Sequence, residues 1–289
     1  MWYQLQIEHC QRDEVEILSE TLEEMGALSV SFTDKHDDPV LEPLPGTTPL
    51  WPHVVIKALY HEHLEALVAQ QTVNTQFKDL SFSIQEIAEQ DWERVCMDKF
   101  KPQQFGEKFW ICPSWLEPPN PQAANLILDP GLAFGTGTHP TTALCLTWLA
   151  HANLTNKSLI DYGCGSGILA LAALKLGASK VQAIDIDEQA LQATQNNAAT
   201  NAIGAQQLII GPPEILEGKV DGVVANILLA PLLSLRDTFR DLLNDQGFLV
   251  VSGLLADQAS SIIEAYHPAF THQSTVLQDG WALLIFKPC

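Results

Sequence analysis

Hydrophobic and polar positions in the first 88 residues predict two consecutive strand–helix–strand units. Apolar residues alternate with polar ones in the predicted strands and recur every three or four positions in the predicted helices. These segments are, in chain order, residues 3–8, 15–25, 27–32, 53–60, 61–71 and 80–84. Such an order is typical of a smaller, ferredoxin-like α+β domain, in which one sheet carries two helices.

From Leu126 onward the pattern changes to short apolar strands that alternate repeatedly with helices. Apolar strands between helices indicate a parallel sheet that is covered on both faces, as in Rossmann-like α/β folds. The final segment is different, because Asp279 and Gly280 separate two strand-like runs as a hairpin turn would. We therefore expect the last strand of this sheet to be antiparallel.

Residues 89–120 match neither pattern, and we interpret them as a connector between the two domains. We expect a short helix that ends at Pro102, a strand in residues 109–115, and a polar, proline-rich run in residues 116–122. The predicted organisation is a domain of residues 1–88, a connector of residues 89–120 and a domain of residues 121–289.

The net charge of −20 is concentrated in the N-terminal third of the chain. Residues 1–98 contain 19 Asp and Glu against 5 Lys and Arg, a balance of −14, and the remaining residues account for −6. An acidic surface repels nucleic acid and attracts cations or basic polypeptides. A solvated surface that only promotes solubility explains the same charge. We expect no direct nucleic-acid partner.

Cysteines, histidines and apolar segments bear on metal binding and location. The six cysteines show neither a CxxC pair nor zinc-ligand spacing, and the histidines form no cluster suited to a metal. The N-terminal residues lack the features of a secretory signal, and no window offers the roughly 18 apolar residues of a membrane span. We expect a cytoplasmic protein with reduced cysteines, no membrane association and no metal.

Three glycines follow a predicted strand in the segment LIDYGCGSGILA, at positions 163, 165 and 167. Glycines at the carboxyl end of a strand let a ligand approach the backbone and the next helix N-terminus. A dinucleotide fingerprint requires Gly or Ala at position 168, where this chain has Ile168. The pattern D-x-G-x-G-x-G, beginning at Asp161, instead resembles the first motif of S-adenosylmethionine-dependent methyltransferases. A tight turn for close helix packing is the alternative.

An aspartate ends the second predicted strand of this sheet. Asp185 lies 22 residues after Gly163, where an acidic side chain can accept hydrogen bonds from both ribose hydroxyls of an adenosine. Asp187 is better explained as the N-cap of the helix that follows. We therefore predict that Asp185 binds the ribose.

Asn226 ends the fourth apolar strand of the sheet, in the segment VVANILLAPL. Burying a carboxamide without partners is costly, so we expect it to face the ligand crevice and accept a hydrogen bond from a substrate amine. The segment departs from the Asn-Pro-Pro-Tyr form of aminomethylating enzymes. An N-cap for a helix starting near Pro231 is the alternative.

Residues 128–149 combine glycines with threonines at a predicted helix start, and no phosphate-loop motif is present. We predict a mobile cover over the cofactor, with Thr138 as the helix cap and Thr141 and Thr142 in the first turn. His139 either contacts substrate or satisfies the helix start, and the second interpretation is favoured.

Four segments, in this order, resemble the bacterial PrmA family, the methyltransferases of large-subunit ribosomal protein eleven. They are LDPGLAFGTGTHPTT, LIDYGCGSGILALAALKLGA, AIDID and VVANIL, and the match covers most of residues 126–255. The resemblance implies a class I methyltransferase sheet, S-adenosylmethionine as cofactor, and methylation of lysine and N-terminal α-amines of that basic protein. The cofactor contacts implied by the resemblance are Thr142, Gly163, Asp185 and Asn226. Asp161 and Gly165 of the glycine motif complete the predicted cofactor site, and Asn226 is the predicted catalytic residue.

Other functions explain less of the sequence. A nicotinamide oxidoreductase accounts for Asp185 but not for Ile168 or Asn226, and an RNA methyltransferase should carry a basic patch. A noncatalytic binding module gives no reason for polar residues at the strand ends. A methyltransferase acting on another protein or on a small-molecule amine remains the alternative. We expect the protein to be a monomer with an N-terminal recognition domain.

Overall fold

The computed structural model describes residues 1–36, 50–77, 79–88, 100–129, 137 and 139–289. The chain divides into two units, Met1–Met97 and Asp98–Cys289. The second unit begins upstream of residue 121, where the sequence pattern placed the start of the methyltransferase domain. The short helix expected before Pro102 falls largely in residues 89–99, outside the described residues.

The N-terminal unit is a four-stranded antiparallel sheet with two helices. Its strands lie in the order β2-β3-β1-β4, and its elements follow one another as βαββαβ, which is the ferredoxin-like order. The elements are β1 (Trp2–Gln11), α1 (Val15–Glu24), β2 (Ser29–Asp34), β3 (His53–Tyr60), α2 (His63–Gln76) and β4 (Ser81–Ile87).

One face of this sheet packs on the helices because the apolar residues alternate along the strands. Leu5 and Ile7 of β1 are fully buried and share a core with Leu18 and Leu22 of α1. The hydroxyl of Tyr60 donates a hydrogen bond to the Leu22 carbonyl oxygen over 3.3 Å and so ties β3 to the end of α1. The N-terminal unit therefore has its own hydrophobic core.

The C-terminal unit is built on a seven-stranded sheet of order β10-β9-β8-β11-β12-β14-β13. Strands β8 to β12 pair in parallel, and β14 is antiparallel to both of its neighbours. The predicted parallel sheet with an antiparallel last strand is confirmed. The elements are β5 (Gln103–Phe105), β6 (Phe109–Cys112), β7 (Ala124–Ile127), α3 (Pro140–His151), β8 (Ser158–Tyr162), α4 (Ile168–Lys175), β9 (Lys180–Ile184), α5 (Glu188–Thr200), β10 (Leu208–Gly211), β11 (Val220–Asn226), α6 (Leu229–Ser234), α7 (Arg236–Leu242), β12 (Leu243–Leu255), α8 (Ala259–Tyr266), β13 (Phe270–Gln278) and β14 (Trp281–Pro288).

Helices cover both faces of this sheet, because successive residues of each strand point to opposite sides. Leu159 of β8 joins the core with α3 and α4, whereas Ile160 joins the core with α7 and α8. The β13–β14 hairpin turns at Asp279 and Gly280, both with positive φ (50° and 80°), as a two-residue type I′ turn requires. None of the described helices is long and apolar enough to span a membrane.

A second, three-stranded sheet of order β5-β6-β7 takes β5 and β6 from the segment predicted as a connector and β7 from the domain predicted to start at residue 121. Phe109 and Ile111 of β6 and Leu126 of β7 are buried in the same core as residues of α3 and α4. From β5 onward, therefore, this segment is part of the C-terminal unit and does not act as a linker. Strands β5 and β7 are too short, at three and four residues, to show an alternating pattern in the sequence.

Candidate active site

The glycine turn joins β8 to α4 in a conformation that requires glycine. Gly163, Gly165 and Gly167 have φ of 77°, 54° and 77°, in the region that L side chains rarely adopt. A Cβ on Gly163 would also collide with the side chain of Ile227. The three glycines therefore add no side chains at this strand end, and the side chain of Ile227, the first residue after β11, packs against Gly163.

Helix α5 fixes the glycine turn through two side chains. Thr194 donates from its hydroxyl to the Gly165 carbonyl oxygen over 3.0 Å, and Asn197 donates from its carboxamide to the Ser166 carbonyl oxygen over 2.8 Å. Thr194 is fully buried. The sequence interpretation missed both residues, although two polar residues three positions apart on a packed helix face are a signal for such anchoring.

Asp185 lies just after β9 and binds the glycine turn. Its Oδ2 accepts a hydrogen bond from the Gly165 amide over 2.9 Å, and its Oδ1 accepts one from the Asp187 amide over 3.1 Å. Each carboxylate oxygen can accept more than one hydrogen bond, so both keep capacity for a ligand. Asp187 accepts from the Gln189 amide over 2.9 Å, which confirms its predicted position as the N-cap of α5.

Ile186 stands between these two aspartates and is 88% exposed. It lies just after β9, at the carboxyl edge of the parallel sheet, where ligands bind in open α/β folds. The sequence interpretation did not single out this residue. The available signal was an isoleucine between two aspartates, at a point where the strand had already ended.

Asp161 is buried beneath the glycine turn, with 2% exposure. Its Oδ2 accepts a hydrogen bond from the Ala170 amide in the first turn of α4 over 2.9 Å, whereas its Oδ1 is buried without a hydrogen-bond partner among the described residues. Burial raises the pKa of Asp161 to about 7, and the nearby Asp185 adds to the effect. The described residues therefore compensate the negative charge of an ionised Asp161 only poorly.

Asn226 ends β11 and points its carboxamide at α3. Its Nδ2 donates a hydrogen bond to the Thr142 hydroxyl oxygen over 3.2 Å, and its Oδ1 is buried with no partner in the part of the chain that the structure describes. The alternative of a helix cap is wrong, because the N-cap of α6 is Leu228. The carboxamide is thus oriented by Thr142 and presents an unused acceptor.

A cavity of about 290 Å³ opens beside Asn226. Its lining is mostly apolar or aromatic and consists of His139, Thr141, Asn226, Ile227, Leu228, Gly253 and Trp281. The rings of His139 and Trp281 meet edge to face, with centroids 4.8 Å apart. The strand pairing of β12 with β14 is interrupted at Gly253, which makes room for the backbone of Ile227. The sequence interpretation did not single out Trp281.

His139 caps helix α3 and also lines this cavity. Its Nδ1 lies 2.8 Å from the Thr141 hydroxyl and accepts from the Thr141 amide over 3.4 Å, so the favoured interpretation, a helix start, is confirmed. Burial lowers the pKa of His139, which keeps the imidazole neutral at neutral pH. The predicted cap Thr138 and the glycine-rich residues 130–136 lie outside the described residues.

The structure brings the six predicted site residues to one edge of the sheet. Strands β8 and β11 are neighbours, with Tyr162 paired to Ala225, so Gly163 and Asn226 follow side by side. Gly165 is part of the glycine turn, and Asp185 and Asp161 bind backbone amides at the turn and at the start of α4, respectively. Thr142 of α3 contacts Asn226 through its hydroxyl. Among the described residues, no group of three His, Cys, Asp or Glu is placed to hold a metal ion.

The sequence matches one protein family over nearly its whole length. The family described as "Ribosomal protein L11 methyltransferase (PrmA)" matches residues 1–288. The chain belongs to this family. A protein of Legionella pneumophila (strain Lens) named ribosomal protein L11 methyltransferase is 58% identical over 286 residues, covering 99% of both chains. One of the same name from Nitrosococcus oceani is 48% identical over 286 residues, covering 98% of both.

One solved structure with a similar fold carries the same family name. The crystal structure of ribosomal protein L11 methylase from Lactobacillus delbrueckii subsp. bulgaricus matches with a TM-score of 0.60 and 32% sequence identity. The match covers 65% of this chain and 99% of that chain. The family prediction drawn from the four motif segments is therefore confirmed, and the class I methyltransferase fold with it.

Proposed function

We propose that this protein uses S-adenosylmethionine to methylate amines of ribosomal protein L11, namely lysine side chains and the N-terminal α-amine. The observation that carries the proposal is the unpartnered Oδ1 of Asn226, a residue that lines the cavity and whose Nδ2 is held by Thr142. A carboxamide oxygen accepts hydrogen bonds only, and a substrate amine has N–H groups to donate. The names of the relatives supply the identity of the protein substrate.

The residues at the sheet edge fit S-adenosylmethionine. The glycine turn lies at the carboxyl end of β8, where ligands bind in open α/β sheets, and the carboxylate of Asp185 has acceptor capacity for a ribose diol. The unpartnered Oδ1 of Asp161 suits the ammonium group of an amino-acid tail, and exposed Ile186 suits the adenine ring. We assign the cofactor to these residues, with Gly165 as a backbone contact and Thr142 behind Asn226.

The chemistry of the site is mainly positioning. When bound, S-adenosylmethionine supplies a methyl group activated by its sulfonium. The protein has to direct the lone pair of the amine at the methyl carbon. Asn226 orients the amine by accepting a hydrogen bond from one of its N–H groups. Ile227, Leu228 and Trp281 offer an apolar wall that suits the methylene stem of a lysine side chain.

Deprotonation of the amine is the main cost before transfer. A lysine ammonium with its ordinary pKa of about 10.4 loses its proton at pH 7.4 at a cost of about 4 kcal/mol. An apolar cavity disfavours the ammonium, and the neutral imidazole of His139 adds no positive charge to the site. No dedicated base is needed in this scheme. Each further transfer requires a fresh cofactor, loss of a proton from the methylated ammonium and rotation of the amine. A neutral dimethylated amine has no N–H to donate to Asn226, so a third transfer depends on the apolar wall for positioning.

The N-terminal unit is the proposed recognition domain for the protein substrate. The acidic balance of −14 in residues 1–98 suits a basic ribosomal protein. We further propose that the protein acts as a monomer in the cytoplasm, without nucleic acid or membrane as a partner. Five cysteines are free thiols in the described residues, four of them buried, which suits a reducing compartment.

Methyl transfer from labelled S-adenosylmethionine tests the function. The protein should label purified ribosomal protein L11, and mass spectrometry of its peptides should locate the methyl groups on lysines and on the N-terminus. The same incubation with a mixture of other ribosomal proteins and with small primary amines is the comparison. Labelling of those alternatives with L11 unlabelled would replace the proposed substrate.

Asp185→Ala should weaken binding of S-adenosylhomocysteine by about 100-fold or more. Hydrogen bonds to a charged group contribute about 1.5–3 kcal/mol each, and the carboxylate is expected to accept two from the ribose. Isothermal titration calorimetry measures the change. Asp187→Ala is the matched control, because it removes a neighbouring carboxylate that caps α5 and should leave the affinity nearly unchanged. Equal losses of affinity in the two variants would show that Asp185 only stabilises the loop and does not bind the ribose.

A further inference from the structure

The carboxyl group of Asp161 lies almost fully buried beneath the glycine turn of the C-terminal unit. It lies on β8 between the parallel neighbours β9 and β11, where it pairs with Ala183 and Val224. Helix α4 contributes the only hydrogen bond given to it in the described residues, from the Ala170 amide to Oδ2. The carboxyl group is therefore removed from water and only half satisfied.

In the part of the chain that the structure describes, the titratable groups that face Asp161 bring no positive charge. The thiol of Cys145 comes from α3, the thiol of Cys164 from the glycine turn, and the carboxylate of Asp185 from the end of β9. Burial and the charge of Asp161 itself both raise the pKa of the two thiols, which keeps them neutral. Within the described ranges, Asp185 is the charged neighbour that affects the pKa of Asp161, and it repels a second negative charge.

We propose that Asp161 is a neutral carboxylic acid in a large share of the ligand-free protein and releases its proton when a ligand ammonium group binds beside the glycine turn. The inference rests on the proposed function, because the ammonium is that of the cofactor's amino-acid tail. The ammonium donates to the unpartnered Oδ1 and offsets the repulsion from Asp185. The carboxylate is then paired within the site, and the proton leaves to the solvent.

Proton release makes cofactor affinity depend on pH. The free protein holds this proton with a pKa of about 7, and the complex holds it much more weakly, so affinity falls as the pH is lowered. Binding should release about 0.9 proton at about pH 6 and about 0.5 at about pH 7, and affinity should weaken about 5-fold between them. An α-amino group stays mostly protonated over this range, so it contributes little to the exchange.

Calorimetric titration of the full chain with S-adenosylhomocysteine, in two buffers of different ionisation enthalpy, counts the released protons. The matched ligand is 5′-methylthioadenosine, which has the same nucleoside and thioether but no amino-acid tail. It should bind without releasing a proton. A buffer-independent enthalpy for S-adenosylhomocysteine at about pH 6, or equal proton release by both ligands, would overturn the proposal.

Two further readouts separate Asp161 from other titrating groups. Asp161→Asn keeps an acceptor for the Ala170 amide, and binding of S-adenosylhomocysteine to this variant should release no proton. In the unaltered protein, the infrared band of a protonated carboxylic acid should disappear when S-adenosylhomocysteine is added, which needs no substitution. Persistence of that band in the complex would contradict the proposal. Complete failure of S-adenosylhomocysteine to bind at any pH would refute the proposed cofactor itself.

Discussion

Asn226→Ala should reduce the rate of methyl transfer by about 100-fold or more while the protein keeps its fold. The carboxamide orients the nucleophile, and misplacement of a reacting group by about 1 Å costs about 100-fold in rate. Affinity for S-adenosylhomocysteine should weaken by no more than about 5-fold, because a single hydrogen bond contributes about 1 kcal/mol. Single-turnover kinetics and calorimetry measure the two effects separately.

The Thr142 hydroxyl provides a matched pair of controls for this effect. Thr142→Val has nearly the same shape but removes the acceptor for the Asn226 Nδ2, so the carboxamide loses its orientation and transfer should slow. Thr142→Ser keeps a hydroxyl and should retain most of the activity. Full turnover by Asn226→Ala, or equal activity in the two Thr142 variants, would show that the carboxamide does not position the amine.

Removal of the N-terminal unit should lower methylation of ribosomal protein L11 by about 100-fold or more in kcat/KM. Complementary charge raises association rates by about 10- to 1,000-fold, and the deleted residues carry most of the negative charge. The truncated chain should begin at Asp98. A start near residue 121 would remove β5 and β6, whose Phe109 and Ile111 belong to the core of the C-terminal unit.

Binding of S-adenosylhomocysteine by the truncated chain is the control for folding, since the proposed cofactor residues all lie in the C-terminal unit. In the full chain, kcat/KM for the protein substrate should fall when salt is raised from about 0.1 to about 1 M. This change shortens the screening length from about 10 to about 3 Å. Undiminished methylation by a folded truncated chain would show that the acidic residues 1–98 do not recognise the substrate and only form a solvated surface.

The sequence predicted the elements whose signals are local. Strands β8, β9 and β11 are apolar runs that are followed by a glycine turn, Asp185 and Asn226, so the sequence alone identifies these side chains at the sheet edge. The same holds for Asp187, whose capping bond is made to a residue two positions away. Position at a strand end was therefore enough to identify most of the candidate site.

Other features depend on contacts between distant parts of the chain. Thr194 reaches Gly165 across 29 residues, and Asn226 reaches Thr142 across 84, so neither pairing has a local pattern. Trp281 enters the cavity only because β14 inserts between β12 and β13. Strands β5 and β7 were not predicted because they have only three and four residues, too few to show an alternation of apolar and polar positions.

The most direct test of the proposed methyl-transfer site is a crystal structure of the protein with S-adenosylhomocysteine bound. The account predicts the ribose diol against the Asp185 carboxylate, the ammonium against Asp161 Oδ1, and the sulfur directed toward the cavity beside Asn226. Binding of the ligand elsewhere, or with its sulfur directed away from Asn226, would contradict the assignment of this sheet edge as the place of methyl transfer.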